Sequence, residues 1–144
     1  MNNLYLLARI DGARVAISSD TVESVVRVQD VIPVPRSDPS VAGLFALRSR
    51  VLTLIDTQYF VTGKCRPVDT QALAIVAEIA GYHYGLLVDL VEDAVAIDID
   101  RAERNISPSP NWAGIATGLI EIGGEITMVI DLNQIVGAQT AIAA

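Results

Sequence analysis

The side chains that most often do chemistry are few in this chain. His83 is its single histidine, and no cysteine, aspartate or glutamate stands at metal-ligand spacing from it in the sequence. A nucleophile also needs a base beside it, and the neighbourhood of His83 provides no such pair. Cys65 is the single cysteine, which excludes an internal disulfide and a cysteine-rich metal site. We therefore predict no bound metal and no cofactor, with His83 as a surface or structural residue and Cys65 as a passive loop residue.

Two carboxylates at matching places suggest a catalytic pair. Asp56 lies in Leu54-Ile-Asp-Thr57, which is similar to the strand-end carboxylate of aspartic proteases. Those enzymes have glycine after the threonine, where this chain has Gln58, and the sequence around Asp131 lacks the threonine as well. Each aspartate precedes a predicted short helix, and its side chain can accept hydrogen bonds from the free amide N–H groups at the start of that helix. We predict helix caps and no catalytic residue, and we keep a β-barrel enzyme that uses Asp56 and Asp131 as a remote alternative.

The elements that position these side chains are predicted to be mainly β-strands. Turn signals such as Asp11-Gly12 and Gly123-Gly124 separate short apolar segments, and short helices are predicted after Asp56 and Asp131. The predicted strands are 4–10, 15–18, 22–28, 44–47, 51–55, 72–79, 84–88, 91–99, 115–122 and 126–130.

The second half of the chain repeats the first. One matched segment is offset by 69 residues and a later one by 75. The matched residues are Asp20, Val22 and Glu23 with Asp89, Val91 and Glu92, then Gly43, Leu44, Ile55 and Asp56 with Gly118, Leu119, Ile130 and Asp131. We predict two small five-stranded barrels, SH3-like or OB-like, over residues 14–66 and 72–137, with strand 4–10 closing the structure. Neither half is large enough to bury its strands alone, so we expect a shared core.

The composition is that of a folded domain that binds neither nucleic acid nor membrane. Among 144 residues, 51% are hydrophobic and 19% charged, which argues against disorder. The net charge of −7 disfavours nucleic acid and anionic membranes, because both require clustered lysine and arginine. The N-terminus lacks the pattern of a signal peptide, and no apolar run is long enough to span a bilayer. We expect a cytoplasmic protein with no direct membrane insertion.

The order of the segments resembles the CheW-like family, the adaptors of bacterial chemotaxis arrays. The resemblance covers about Tyr5 to Val136. Its markers, in order, are Tyr5–Ile10, Asp20–Val25, Val31–Pro35, Gly43–Arg48, Val51–Asp56, Gly85–Asp89 with Val91, Gly118–Ile120 and Met128–Asp131. The resemblance implies two five-stranded barrels around a common core and a scaffold without enzymatic activity.

The resemblance also implies two partners and a site. Family members bridge the helical hairpin tips of chemoreceptors to the regulatory domain of the histidine kinase CheA. Arg48 matches the family's functionally important arginine; a brace between the two barrels is an open alternative for it. We predict an apolar groove for the receptor tip near Val22, Val25, Val51 and Val88. The predicted partner-binding residues are Arg48, Leu47, Val22, Ser24, Val25, Val51 and Val88.

The chain departs from the family pattern at three places. Ala46-Leu47-Arg48-Ser49 stands where the family usually has Asn-Leu-Arg-Gly, and Ser24 replaces a usual glutamate. If the turn needs a positive φ at Ser49, serine costs on the order of 1 kcal/mol there. Affinity for receptor or kinase is therefore open to change. An adaptor for twitching, other surface motility or another kinase pathway stays an alternative, and we expect an isolated adaptor rather than part of a kinase.

Overall fold

The computed structural model describes residues 2–34, 39–64, 72–103 and 116–135, and the structural statements below concern these ranges. Cys65 and the predicted bounds at 66 and 137 lie outside them. The strands are β1 (Asn2–Ile10), β2 (Ala13–Ser18), β3 (Val22–Arg27), β4 (Val41–Leu47), β5 (Arg50–Asp56), β6 (Leu73–Ile79), β7 (Tyr82–Val88), β8 (Leu90–Asp98), β9 (Ala116–Ile122) and β10 (Glu125–Ile130). Helix α1 (Thr57–Thr62) follows β5, single 3-10 turns occupy Ser19–Thr21 and Ile99–Arg101, and residues 132–135 are helical. The predicted mainly β fold is confirmed.

The strands form two five-stranded sheets, as predicted, but the sheets are not closed barrels. Sheet I has the order β8-β1-β2-β10-β9, and sheet II has the order β3-β6-β7-β5-β4. In sheet II the chain after β3 reaches β4 only through an isolated bridge between Ile32 and Leu44. Ile32 and Leu44 exchange two backbone hydrogen bonds there, at 2.8 and 2.9 Å. Closure is therefore limited to a short contact.

Sheet I contains the β1–β2 hairpin of the first half of the chain and strands β8, β9 and β10 of the second half. Sheet II contains the β6–β7 hairpin of the second half and strands β3, β4 and β5 of the first half. The exchange occurs because β3 pairs with β6 rather than with the preceding strand β2, and β8 pairs with β1 rather than with the preceding strand β7. Equivalent residue pairs in the two sheets are related by the offsets of the sequence repeat. Leu6–Ala94 in sheet I corresponds to Ile75–Val25 in sheet II, and Val15–Met128 corresponds to Tyr84–Thr53. Each sheet contains strands from both of the predicted units, 14–66 and 72–137. The two units stay a prediction about the repeat in the sequence. Strand β1 lies inside sheet I, between β8 and β2.

The two sheets share a core, with an additional cluster inside each sheet. Strand β6 illustrates the arrangement, since Ile75 and Ala77 face the central cluster whereas Ala74 and Val76 belong to the inner cluster of sheet II. Burial on both faces explains why β6 is a nearly continuous apolar run. Full burial of each large aliphatic side chain stabilises the fold by about 1.5–3 kcal/mol. The central cluster, which draws on both sheets, includes Ile10, Val15, Ile17, Ile55, Ile75, Leu86, Val88 and Ile130.

Candidate partner-binding surface

The β4–β5 hairpin carries an arginine in a backbone conformation that arginine rarely adopts. Leu47 pairs with Arg50, which leaves Arg48 and Ser49 as a two-residue turn. Arg48 is exposed and has φ 59°, in the left-handed region, whereas Ser49 has no positive φ. A side chain in that region costs about 1–2 kcal/mol relative to the right-handed one. The strain we considered for Ser49 therefore falls on Arg48 instead.

Two exposed apolar side chains lie near this turn. Val51, the second residue of β5, is 68% exposed, and Tyr82, the first residue of β7, is 69% exposed. The parallel pairing of Thr53 with Tyr84 places Val51 beside Tyr82. Leu47 is half-buried and packs against the inner cluster of sheet II. We call Leu47, Arg48, Val51 and Tyr82 the hairpin surface; sequence reasoning missed Tyr82, whose one signal was a large aromatic residue directly after a turn.

The other predicted surface residues lie on β3, at the opposite edge of sheet II. Val22 is half-buried and packs against the central cluster, Ser24 is exposed, and Val25 is 39% exposed. Strands β6 and β7 lie between β3 and β5. Neighbouring strands are about 4.8 Å apart, so about 14 Å separates β3 from β5 along the sheet. The structure thus divides the predicted residues between two edges of one sheet.

Val88 does not reach either edge. It is 2% exposed and belongs to the central cluster, because β7 lies inside sheet II and is covered on both faces. It is also at the far end of β7 from Tyr82, the neighbour of Val51. Among the described residues, the four side chains of the predicted groove, Val22, Val25, Val51 and Val88, do not line one cleft. The space between the sheets is occupied by the central cluster instead.

A polar cluster runs across sheet II from β3 to β5. Glu23 of β3 lies 3.4 Å from Arg50 and 3.1 Å from Nε2 of His83. Arg50 Nη1 lies 2.5 Å from the same nitrogen, and Glu78 Oε2 lies 3.6 Å from it. The spacing in the sequence places no carboxylate beside His83, but the fold brings both glutamates to it from other strands. We call Glu23, Arg50, Glu78 and His83 the His83 cluster.

Sheet I has an ion network at the equivalent place. Arg9 Nη1 donates to Glu125 at 2.7 Å and Arg9 Nε lies 3.3 Å from Glu92, while Arg14 Nη1 lies 3.7 Å from Glu125. The hydrogen bond from Arg9 lowers the pKa of the Glu125 carboxyl, and the same bond raises the pKa of Arg9. We call these four residues the Arg9 network.

The two aspartates of the alternative catalytic pair cap helices. Asp56 Oδ1 accepts a hydrogen bond from the amide of Gln58 at 3.0 Å, at the start of α1. Asp131 Oδ1 accepts one from the amide of Asn133 at 2.9 Å. Asp56 is buried whereas Asp131 is exposed. The predicted capping roles are confirmed.

Among the described residues, no helix is long and apolar enough to cross a bilayer.

Comparison with known proteins finds similarity along nearly the whole chain. Residues 4–140 match the family described as the CheW-like domain. The "Chemotaxis protein CheW" of Rhizobium meliloti (strain 1021) is 27% identical over 117 residues, which cover 78% of this chain and 73% of the relative. The protein of the same name from Thermotoga maritima is 25% identical over 127 residues, covering 88% and 83%.

A solved structure has the same fold. The crystal structure of "scaffolding protein TtCheW from Thermoanaerobacter tengcongensis" superposes with a TM-score of 0.80 at 20% identity, and the match covers 92% of this chain and 86% of that one. At this identity the likeness concerns the fold, which agrees with the two-sheet architecture described above.

Proposed function

The chain belongs to the CheW-like domain family, and on that premise we propose that it couples the tips of chemoreceptors to the regulatory domain of the histidine kinase CheA in the cytoplasm. As a member of this family it is a chemotaxis scaffold and adaptor, not an enzyme. The observation that supports the coupling function is the exposed Arg48, held at positive φ near Val51 and Tyr82. A fold tolerates a strained residue when its surroundings hold it in place, and such residues are common at binding sites.

The hairpin surface supplies both kinds of contact that a protein interface needs. The guanidinium of Arg48 offers a planar fork of donors to a carboxylate or to backbone carbonyls of a partner. Val51 and Tyr82 offer apolar area that is lost from water on docking, and tyrosine and arginine are common among the residues that dominate binding energy. We assign this surface to one of the two partners.

The exposed edge of sheet II suits the other partner. Strand β3 is an outer strand, and Ser24 and Val25 are exposed along it. An amphipathic helix of a receptor tip that lies along β3 would bury Val25 and extend towards the half-buried Val22. The two partners would then occupy opposite edges of one sheet, connected by the His83 cluster.

Each contact is expected to be weak. A micromolar dissociation constant corresponds to about −8 kcal/mol, which suits an assembly held by many simultaneous contacts. The adaptor transmits a signal if its fit to the kinase differs between receptor states. A coupling free energy of about 1–3 kcal/mol is sufficient for that purpose.

The decisive experiment reverses the charge of Arg48. Arg48→Glu is expected to leave the melting curve unchanged and to weaken binding to a receptor cytoplasmic fragment or to the CheA regulatory domain by about tenfold or more. Isothermal titration against each purified partner measures the effect. Arg101→Glu, at an arginine exposed at the end of sheet I, is the matched control and should bind normally. A folded Arg48→Glu protein that binds both partners with wild-type affinity would exclude the proposed role, and lost stability would favour the brace.

A further inference from the structure

The His83 cluster has the donor atoms and the spacing of a metal site. Glu23, Glu78 and His83 come from three adjacent strands, β3, β6 and β7, and one ligand atom from each lies within 4.8 Å of the others. His83 Nε2 is 3.1 Å from Glu23 Oε1 and 3.6 Å from Glu78 Oε2. Two ligands that share a tetrahedral ion at about 2.1 Å are about 3.4 Å apart, so these separations need little adjustment.

A comparison with sheet I shows which groups differ at the equivalent positions. The repeat places Glu23 at the position of Glu92, Glu78 at that of Arg9, His83 at that of Arg14 and Arg50 at that of Glu125. In the Arg9 network two carboxylates meet two guanidinium groups. In the His83 cluster two carboxylates meet one guanidinium and an imidazole. The His83 cluster therefore has one guanidinium where its counterpart has two, and an imidazole, whose nitrogen can bind a metal ion, stands in place of the other.

We propose that Glu23, Glu78 and His83 bind a divalent transition-metal ion of the zinc type, with water in the remaining position. One imidazole nitrogen and two carboxylate oxygens suit zinc, nickel or copper, whereas magnesium and calcium prefer oxygen ligands alone. The side chains are partly exposed, so the ion enters from solvent. The ion would clamp β3, β6 and β7 together beside Tyr82 of the hairpin surface. This inference is independent of the receptor and kinase contacts.

Arg50 acts as a competitor in this site. Its Nη1 lies 2.5 Å from the nitrogen that would bind the ion, and its Nη2 lies 3.4 Å from Glu23. Metal binding therefore requires the Arg50 guanidinium to move away, which its partly exposed side chain permits. Removal of Arg50 should consequently strengthen metal binding, a result that a purely structural ion pair does not predict.

The test titrates the full chain with zinc chloride in phosphate-free buffer, followed by calorimetry. One equivalent of zinc should bind, His83→Gln and Glu78→Gln should each weaken binding by at least about tenfold, and Arg50→Gln should strengthen it. Melting curves without zinc establish that each variant is folded, and Glu78→Gln serves if His83→Gln is unstable. Glu92→Gln, which removes the equivalent of Glu23 in sheet I, and Cys65→Ser should bind as the wild type does. No zinc binding by the wild type, unchanged binding in both His83→Gln and Glu78→Gln, or loss of binding in Cys65→Ser would overturn the proposal.

Discussion

Sheets I and II have the same strand order and registers, but their equivalent hairpins carry different residues at the turn. In the β9–β10 hairpin of sheet I, Gly123 and Gly124 have φ of 62° and 84°. In the β4–β5 hairpin of sheet II the equivalent of Gly123 is Arg48, with φ 59°. Glycine adopts this backbone without a steric penalty, whereas arginine does not. The turn of sheet II therefore carries backbone strain that the glycine turn of sheet I avoids.

The interiors of the two sheets differ in a complementary way. Gly85 of β7 stands at the position of Ala16 of β2, and Phe45 of β4 stands at that of Ile120 of β9. A Cβ placed on Gly85 would lie 2.6 Å from the ring of Phe45. Sheet II therefore combines a phenylalanine with a glycine, whereas sheet I combines a smaller isoleucine with an alanine. Equal sheets are filled by unequal pairs because close packing constrains the total volume rather than each residue.

The largest effect is expected from Gly85→Ala, which gives sheet II the small residue of sheet I without its smaller partner. The added methyl group overlaps the Phe45 ring, so the free energy of unfolding should fall by about 1–3 kcal/mol in urea titrations. Phe45→Ile introduces the residue found in sheet I, and the double variant should lose less than the two single changes together. Unchanged stability of Gly85→Ala would show that the two interiors are not matched by volume.

The second prediction places a side chain at the glycine turn of sheet I. Gly123→Ala should lower the free energy of unfolding by about 1–2 kcal/mol, because alanine is strained at positive φ. Ser49→Ala, at a turn position without positive φ, is the control and should change stability little. Equal effects of the two substitutions, measured by urea unfolding, would contradict the different turn conformations.

The third prediction gives sheet II the glycine turn of sheet I. Arg48→Gly relieves the strain but makes the unfolded chain more flexible, so the net stabilisation should be about 0.5–1 kcal/mol. The same variant should bind receptor fragment or kinase domain more weakly in titration calorimetry. A loss of stability would instead support the reading of Arg48 as a brace within the fold.

The smallest effect concerns acid stability at the Arg9 network. Arg9 lowers the pKa of Glu125 in the folded protein, so this interaction stabilises the fold above the ordinary glutamate pKa of about 4.3 and is lost as pH falls through the lowered value. Glu125→Gln should therefore lose less stability than the wild type on acidification. Urea midpoints at neutral and acidic pH measure this, with Glu121→Gln on β9 as the control. Identical pH dependence of Glu125→Gln and the wild type would mean that the Arg9 contact is too weak in solution to matter.

The amino-acid sequence by itself determined the strands, the repeat and the helix caps. Alternating or continuous apolar segments end at local turn signals, and the predicted strands agree with the observed ones to within a few residues at each end. Asp56 and Asp131 act on amides two residues away, so a local pattern was sufficient to assign them. Arg48 and Val51 are exposed, and their roles in partner binding stay predictions.

Only the tertiary structure decided how the halves exchange strands, which residues are exposed and what surrounds His83. Val25 pairs with Ile75, far along the chain, and no local signal specifies such a partner. The burial of Val88 depends on β7 being covered on both faces, and the cluster around His83 depends on glutamates from two other strands. Pairing and burial are properties of segments distant in sequence, because the free energy that selects them is gained only when the sheets pack together.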